Sequence, residues 1–299
     1  MNIFHFEDLI VLSKEELLSV LDKIDDIPTL PIVAAKLLKT VNNPNFSVKE
    51  LAETVNMDQA ITTKLLRVAN SAFYAGNSET TSIDNAIMRL GVNQVRSIII
   101  GVSVIKSFDS FSQFEFSIEN FWKHSLAVAF LNKIVAEILQ VDVSEDIWVS
   151  GIMHDIGKLI YAVYMPTLMT RLLSEVEREK ISFFEAENKL LKFNHAEVGR
   201  WLCEKWSIPK KIKLVVASHH NPPINEFIMG KTTYLVGISH ISDNIIKLSK
   251  IGNSGDFNSK LDSNIWNYFD KNKFDTKKLL SRVKGMREEV EDIFKTLKS

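Results

Sequence analysis

The stretch Trp148-Val-Ser-Gly151-Ile-Met-His154-Asp155-Ile-Gly157-Lys158-Leu159 sets the reading of the whole chain. Trp148, Ile152 and Leu159 fall at helical spacing, and the run continues to Tyr164 before Pro166 stops it. The pattern predicts one helix over about 144–164. His154 and Asp155 lie about 100° apart around such a helix, so an edge aimed at one point carries both there. Neutral imidazole and carboxylate are ligands for Zn, Mn, Fe, Ni and similar ions. Lys158, one turn beyond His154, places an ammonium where it could meet a substrate phosphate.

Other histidines supply partners for this pair. His124 sits in Phe-Trp-Lys-His124-Ser, on the preceding apolar run. His195 opens a helix in Phe-Asn-His195-Ala-Glu-Val-Gly, and His219-His220 ends one. Asp243 follows His240 by one turn in Ile-Ser-His240-Ile-Ser-Asp243. Any one of these, taken alone, reads most simply as a satisfied core residue or a helix cap. The ordered series is more specific than any pair. Helical bundles build metal sites from such inward-facing side chains, and a carboxylate can bridge two ions. Two ions about 3.5–4 Å apart suit phosphoester hydrolysis.

Composition sets the frame. The chain has 299 residues, 45% of them hydrophobic and 24% charged, enough to bury a large core without disulfides or a structural metal. Only 11 Gly and 7 Pro interrupt it, and no alternating run bounded by hairpin turns is visible. The fold class expected is all-α. Lys plus Arg is 36 against 37 Asp plus Glu, a net charge of −1, so there is no overall positive field for nucleic acid. Cys203 is the single cysteine, which excludes an internal disulfide and fits a reducing cytoplasm. The N-terminus lacks a basic segment, and Glu7 and Asp8 break its apolar run, so it is a poor signal peptide. Apolar stretches such as 97–105 are too short to span a bilayer. The expectation is a cytoplasmic protein with no membrane contact.

Helix starts are well marked. Ser47-Val-Lys-Glu50 is a capping box, Asp58 caps a longer helix, and Ser82 caps a short one that Gly91 ends. An apolar helix follows over about 92–108. The segment 109–117 reads as a linker, and 118–138 as a long helix. Further helices are expected near 167–180, 182–193, 195–206, 209–220 and 232–250. The stretch 252–260 reads as a loop, and a helix from about Thr276 runs to the end. That last helix puts Lys277, Lys278, Arg282, Lys284 and Arg287 before Glu288, Glu289, Glu291 and Asp292, against the helix dipole. It reads as a solvated amphipathic helix or a docking helix.

The series His124, His154-Asp155, His195, His219-His220, Asp243 resembles the HD superfamily of metal-dependent phosphohydrolases. His154 to Lys158 resembles the core motif of its HD-GYP branch, which hydrolyses cyclic di-GMP. Two departures stand out. After His220 the chain reads Asn-Pro-Pro-Ile-Asn, without the Gly-Tyr-Pro motif. Asn120 stands where some of those enzymes have a metal-binding Glu. The upstream half resembles the HDOD domain: Pro28-Thr-Leu-Pro31, 47–58, Lys64 to Tyr74, 82–91 and Val95-Arg96. The likeness continues through Trp122-Lys-His124-Ser, His195-Ala-Glu-Val-Gly199, Trp206-Ser-Ile-Pro209 and His219-His220, covering roughly residues 20 to 250.

This resemblance implies an N-terminal helical bundle packed on an HD-like bundle, and a role in bacterial signal transduction. The expected divisions are an extension over 1–24, a helical half over 25–110, the HD-like bundle over 117–250 and a C-terminal extension over 251–299. Many members of the family have lost the metal ligands; this chain retains the series. The expectation is a divalent metal site, mono- or binuclear, holding Fe, Mn, Ni or Zn. Asp155 would bridge. His124, His154 and Asp243 would complete one set, and His195, His219 and His220 the other, with His240 an outer candidate. Lys158 would be catalytic only in a hydrolase. Two functions compete: a regulatory module acting through a signalling partner or small ligand, and a phosphohydrolase acting on a nucleotide or cyclic dinucleotide. DNA binding through the helix-turn-helix-like stretch 47–71 is disfavoured. Its second helix offers only Lys64 and Arg67, and Asp58 stands at its start.

Overall fold

The computed structural model describes residues 12–39, 47–71, 73–74, 79–108, 116–141, 143, 146–223, 231–269 and 275–298. All regular structure among them is helical. The expected linker 109–117 lies almost wholly outside the described residues, as do His5 and 144–145.

The first half holds α1 (Lys14–Leu21), α2 (Ile32–Lys39), α3 (Val48–Val55), α4 (Gln59–Ala69), α5 (Ile83–Leu90) and α6 (Val92–Lys106). The caps foreseen from sequence start the right helices. Ser47 and Glu50 form the reciprocal box, Asp58 accepts from Ala60 and Ile61, and Ser82 accepts from Asn85. Helix α6 is rich in apolar residues because it is the axis of this bundle, buried from Gln94 to Ile105. Among the described residues no single helix is long and apolar enough to cross a membrane.

The second half holds α7 (Ile118–Ile138), α8 (Asp146–Met153), α9 (Gly157–Tyr164), α10 (Pro166–Glu179), α11 (Phe183–Leu190), α12 (His195–Lys205), α13 (Lys210–Ser218) and α14 (Lys231–Ser249). Two more helices, α15 (Ser263–Tyr268) and α16 (Thr276–Lys298), follow. Helix α7 packs against α8, α14 and α16, and α6 reaches across to α8. Three side chains pin the N-terminal segment onto this bundle. The indole N–H groups of Trp201 and Trp206 donate to Asp22 and to the Pro28 carbonyl, and the Tyr164 hydroxyl donates to the Asp26 carbonyl.

The structure corrects the single helix expected over 144–164. The chain breaks at His154, Asp155 and Ile156, where a turn separates α8 from α9. Amides bond three residues back there: Ile156 to Met153, Lys158 to Asp155 and Leu159 to Ile156. Directly after the break the chain is packed closely by a neighbour. A Cβ on Gly157 would stand 2.0 Å from the His195 carbonyl oxygen, so α12 touches bare backbone at this point.

Helix α16 docks on the chain's own surface. Leu279, Val283, Met286, Val290, Ile293, Phe294 and Leu297 make its buried stripe against α7 and α4. Lys64 and Arg67 of α4 donate to the carbonyls of Leu297 and Thr296, filling orphan acceptors at the negative end of α16. The two basic groups on the second helix of the helix-turn-helix-like stretch therefore face α16.

Candidate metal centre

Five segments deliver the titratable cluster. Helix α7 carries His124, the α8–α9 turn carries His154 and Asp155, and α12 opens with His195. The end of α13 carries His219 and His220, and α14 carries Asp243. Six of the seven are buried, and His220 is half-buried. The structure brings all seven together, in two groups that share Asp155. One contains His124, His154, Asp155 and Asp243; the other contains Asp155, His195, His219 and His220. Within each group the donor atoms all lie within 4.8 Å of one another.

Asp155 reaches both groups with different oxygens. Its Oδ1 lies 3.0 Å from His195 Nε2 and 3.3 Å from His219 Nε2. Its Oδ2 lies 3.3 Å from His154 Nε2. Asp243 Oδ1 stands 3.0 Å from His124 Nε2 and 3.5 Å from His154 Nε2. His220 Nε2 meets His195 Nε2 at 2.9 Å.

Hydrogen bonds behind the rings fix their orientation. His154 Nδ1 bonds the Gly151 carbonyl at 2.8 Å, and His219 Nδ1 the Val216 carbonyl at 3.1 Å. His195 Nδ1 meets the Glu187 carboxylate at 2.6 Å. Those acceptors cannot donate, so each Nδ1 carries the hydrogen, and a ring that gives up its second proton turns an Nε2 lone pair inward. His154 Nε2, His219 Nε2 and Asp155 Oδ1 are buried with no hydrogen-bond partner. Each of the two nitrogens lies at ion-pair distance from one Asp155 oxygen, His154 Nε2 from Oδ2 and His219 Nε2 from Oδ1. Lone pairs converging on a carboxylate repel unless a proton or cation lies between them. This donor set of nitrogens and oxygens without thiolate fits Fe, Mn, Ni or Zn.

Electrostatics agree. Four buried carboxylates, Asp155, Asp243, Glu187 and Asp256, face two buried ammonium groups, Lys158 and Lys247. Burial alone would raise the Asp155 carboxyl, but Lys158 and His154 outweigh it and hold it well below the usual range. Asp243 is held down in the same way by Lys247 and His124. Burial pushes His219 down to about 4 and His220 well below its ordinary value, leaving both in the neutral, ligating form. His154 goes the other way, to about 9, because Asp155 and Asp243 overcome the effect of burial.

Several supporting residues escaped the sequence reading. Glu187 accepts from both the ring and the backbone N–H of His195. Lys247 stands 3.0 Å from Asp243 Oδ2, and Asp256 stands 3.7 Å from Lys247 while accepting from the Phe183 amide. Lys247 is four residues after Asp243, a spacing that could have been read; Glu187 and Asp256 had no such signal. His240 bonds the His219 carbonyl through Nδ1 at 2.7 Å and accepts the Asp262 amide at Nε2, so both its nitrogens are used in holding segments together. The loop 252–260 lies against α7. Gly252, at φ +65°, is where a Cβ would stand 2.2 Å from the His124 nitrogen. Cys203 is core, as its apolar surroundings suggested.

A cavity of about 590 Å³ opens beside the cluster. His220 and Asp243, one from each group, form part of its wall with Lys247, Asn188, Asn221 and Phe184. Lys158 is fully buried and bonded to Asp155 Oδ2 at 2.8 Å.

Comparison with known proteins agrees with this geometry. The HDOD domain model matches residues 27–222. An HDOD domain protein of unknown function from Geobacter sulfurreducens has the same fold, with a TM-score of 0.78, 24% identity and coverage of 97% of this chain and 99% of that one. A candidate phosphohydrolase from Shewanella amazonensis is similar at TM-score 0.68 and 25% identity, over 93% and 98% of the two chains. An uncharacterized protein of Treponema pallidum (strain Nichols) is 24% identical over 210 residues, covering 69% of this chain. The match spans only 40% of that relative's length. The matched domain, which spans most of the chain, places it in the HDOD family.

Proposed function

We propose that this chain is a cytoplasmic signalling protein that holds two divalent metal ions and takes a phosphorylated small molecule in the adjoining cavity. One observation carries the reading: Asp155 is shared by two four-residue groups, and its buried Oδ1 and the buried Nε2 atoms of His154 and His219 have no hydrogen-bond partner. His124, His154, Asp155 and Asp243 would hold one ion; Asp155, His195, His219 and His220 would hold the other. When bound, such a pair supplies activation of water and neutralisation of charge on a phosphoryl oxygen. The chain's own residues prepare that chemistry. Lys158 balances the shared carboxylate, and Glu187 holds the His195 ring with its Nε2 inward. The cavity brings a ligand to Asp243 and His220, thus to both groups at once. Phosphoester hydrolysis is the reaction this arrangement supports best, and the Shewanella relative's description points the same way.

A second reading keeps the metal as a structural or sensory element of a regulatory module acting on a protein partner. The run Asn221-Pro222-Pro223, standing where the Gly-Tyr-Pro motif would be, favours it. Metal analysis and hydrolysis of bis(p-nitrophenyl) phosphate and p-nitrophenyl phosphate separate the readings, using protein purified without chelator or metal-affinity resin. Two equivalents of metal and turnover abolished in Asp155→Ala support the first. A metal-loaded chain inert toward both esters and toward nucleotides and cyclic dinucleotides supports the second.

A further inference from the structure

The two buried lysines of the site face different ways. Lys158 bonds Asp155 Oδ2 at 2.8 Å, stands 3.4 Å from Ser254 Oγ and lies 4.9 Å from the centre of the Phe183 ring. It contributes nothing to the cavity wall described above. Lys247 is also buried, yet it lines that cavity together with Asp243. Resting on the reading that the cavity takes a phosphorylated ligand, we propose that Lys247 binds the phosphoryl group and that the motif lysine, Lys158, positions Asp155.

The charges require such a residue. A phosphoryl group entering beside Asp243 brings negative charge next to a carboxylate already there. Lys247 is the buried cation on that wall among the described residues. Lys260, also on the wall, is exposed and ion-paired with Glu185. An ammonium has three donors. Lys247 has Asp243 Oδ2 at 3.0 Å, while its second carboxylate neighbour, Asp256, is at 3.7 Å, outside hydrogen-bond distance. Capacity therefore remains for a phosphoryl oxygen. Asn188 and Asn221 stand on the same wall, so the remainder of the ligand meets amides as well as the Phe184 ring. The ligand class is a small, polar phosphoester.

Inorganic phosphate is the probe, titrated calorimetrically into the full-length chain with metal content measured on the same samples. Lys247→Gln is expected to keep the wild-type metal content and bind phosphate about tenfold more weakly or worse, the loss of one charge-assisted hydrogen bond. Lys247→Arg should recover most of the affinity. Lys158→Gln should instead lose metal. Lys247→Met, which keeps the stem's packing, serves if the glutamine variant fails to fold. Wild-type phosphate affinity in the folded Gln or Met variant overturns the proposal. So does loss of metal in step with phosphate binding, which would mean that Lys247 acts only through Asp243. A metal-free wild-type chain whose phosphate affinity still falls in Lys247→Gln fails the metal reading alone. A metal-loaded wild type that binds no phosphate overturns both.

Discussion

The two halves of the molecule bury different things. Around α6 the first half buries mostly hydrocarbon, with Ile98, Ile99, Val102 and Val104 nearly inaccessible, and much of its polar chemistry caps helix ends. Around the α8–α9 turn the second half buries imidazoles, carboxylates and ammonium groups in contact. Packing alone can stabilise the first arrangement. The second must set charge against charge, because burying uncompensated charge costs far more than burying carbon gains. The lesson is that one continuous core can hold a hydrocarbon region and a region of buried, mutually balanced charge.

The sharpest way to break this contrast is Asp155→Ala. Metal content should fall from about two equivalents to near zero, and Lys158 should be left buried without its carboxylate, a cost of about 3–5 kcal/mol. Mass spectrometry and thermal unfolding check both. Leu65→Ala, in the hydrocarbon half, should cost about 2–5 kcal/mol with metal content unchanged. Equal metal loss in the two variants would erase the distinction.

Glu187→Gln is expected to weaken metal binding about 10–100-fold, because the group orienting His195 loses its charge. Competition against a calibrated chelator reads it, and unaltered affinity would deny Glu187 that role.

The pH dependence has a definite sign. In metal-free protein His154 titrates at about 9, above its ordinary 6.5. The folded state therefore holds a proton that the unfolded state releases. The resulting stability is fully present below about pH 6.5 and is lost as pH rises through 9. Metal competes with that proton, so metal affinity should climb over the same window. Denaturant midpoints of metal-free protein that are flat from pH 6 to 9 would contradict this. The smallest effect belongs to Ser82→Ala, which removes the cap of α5. About 1 kcal/mol should be lost, with metal content unmoved.

Local signals made much of this legible. The Ser47, Asp58 and Ser82 caps and the Pro166 stop depend on adjacent residues, and the helices follow them closely. The cluster was legible as an ordered series because histidines are few, seven in the whole chain. The break at His154–Ile156 was not, and the His195 backbone packed against Gly157 beside it is 38 residues away in sequence. Glu187 and Asp256 reach the site from segments with no motif of their own. The stretch 252–260 read correctly as a loop, but only the fold shows it lying on α7 at His124. Lys158 was visible beside Asp155; that its ammonium turns toward Asp155 and not the cavity required the fold.

The central claim is that Asp155 joins two metal positions. Diffraction from crystals of the metal-loaded protein, collected on both sides of the metal's absorption edge, tests it directly. The account predicts two anomalous peaks flanking the Asp155 carboxylate, one beside His124, His154 and Asp243 and one beside His195, His219 and His220. No peak at Asp155 after loading with Fe, Mn, Ni or Zn, or a single peak that excludes one of the groups, would contradict it.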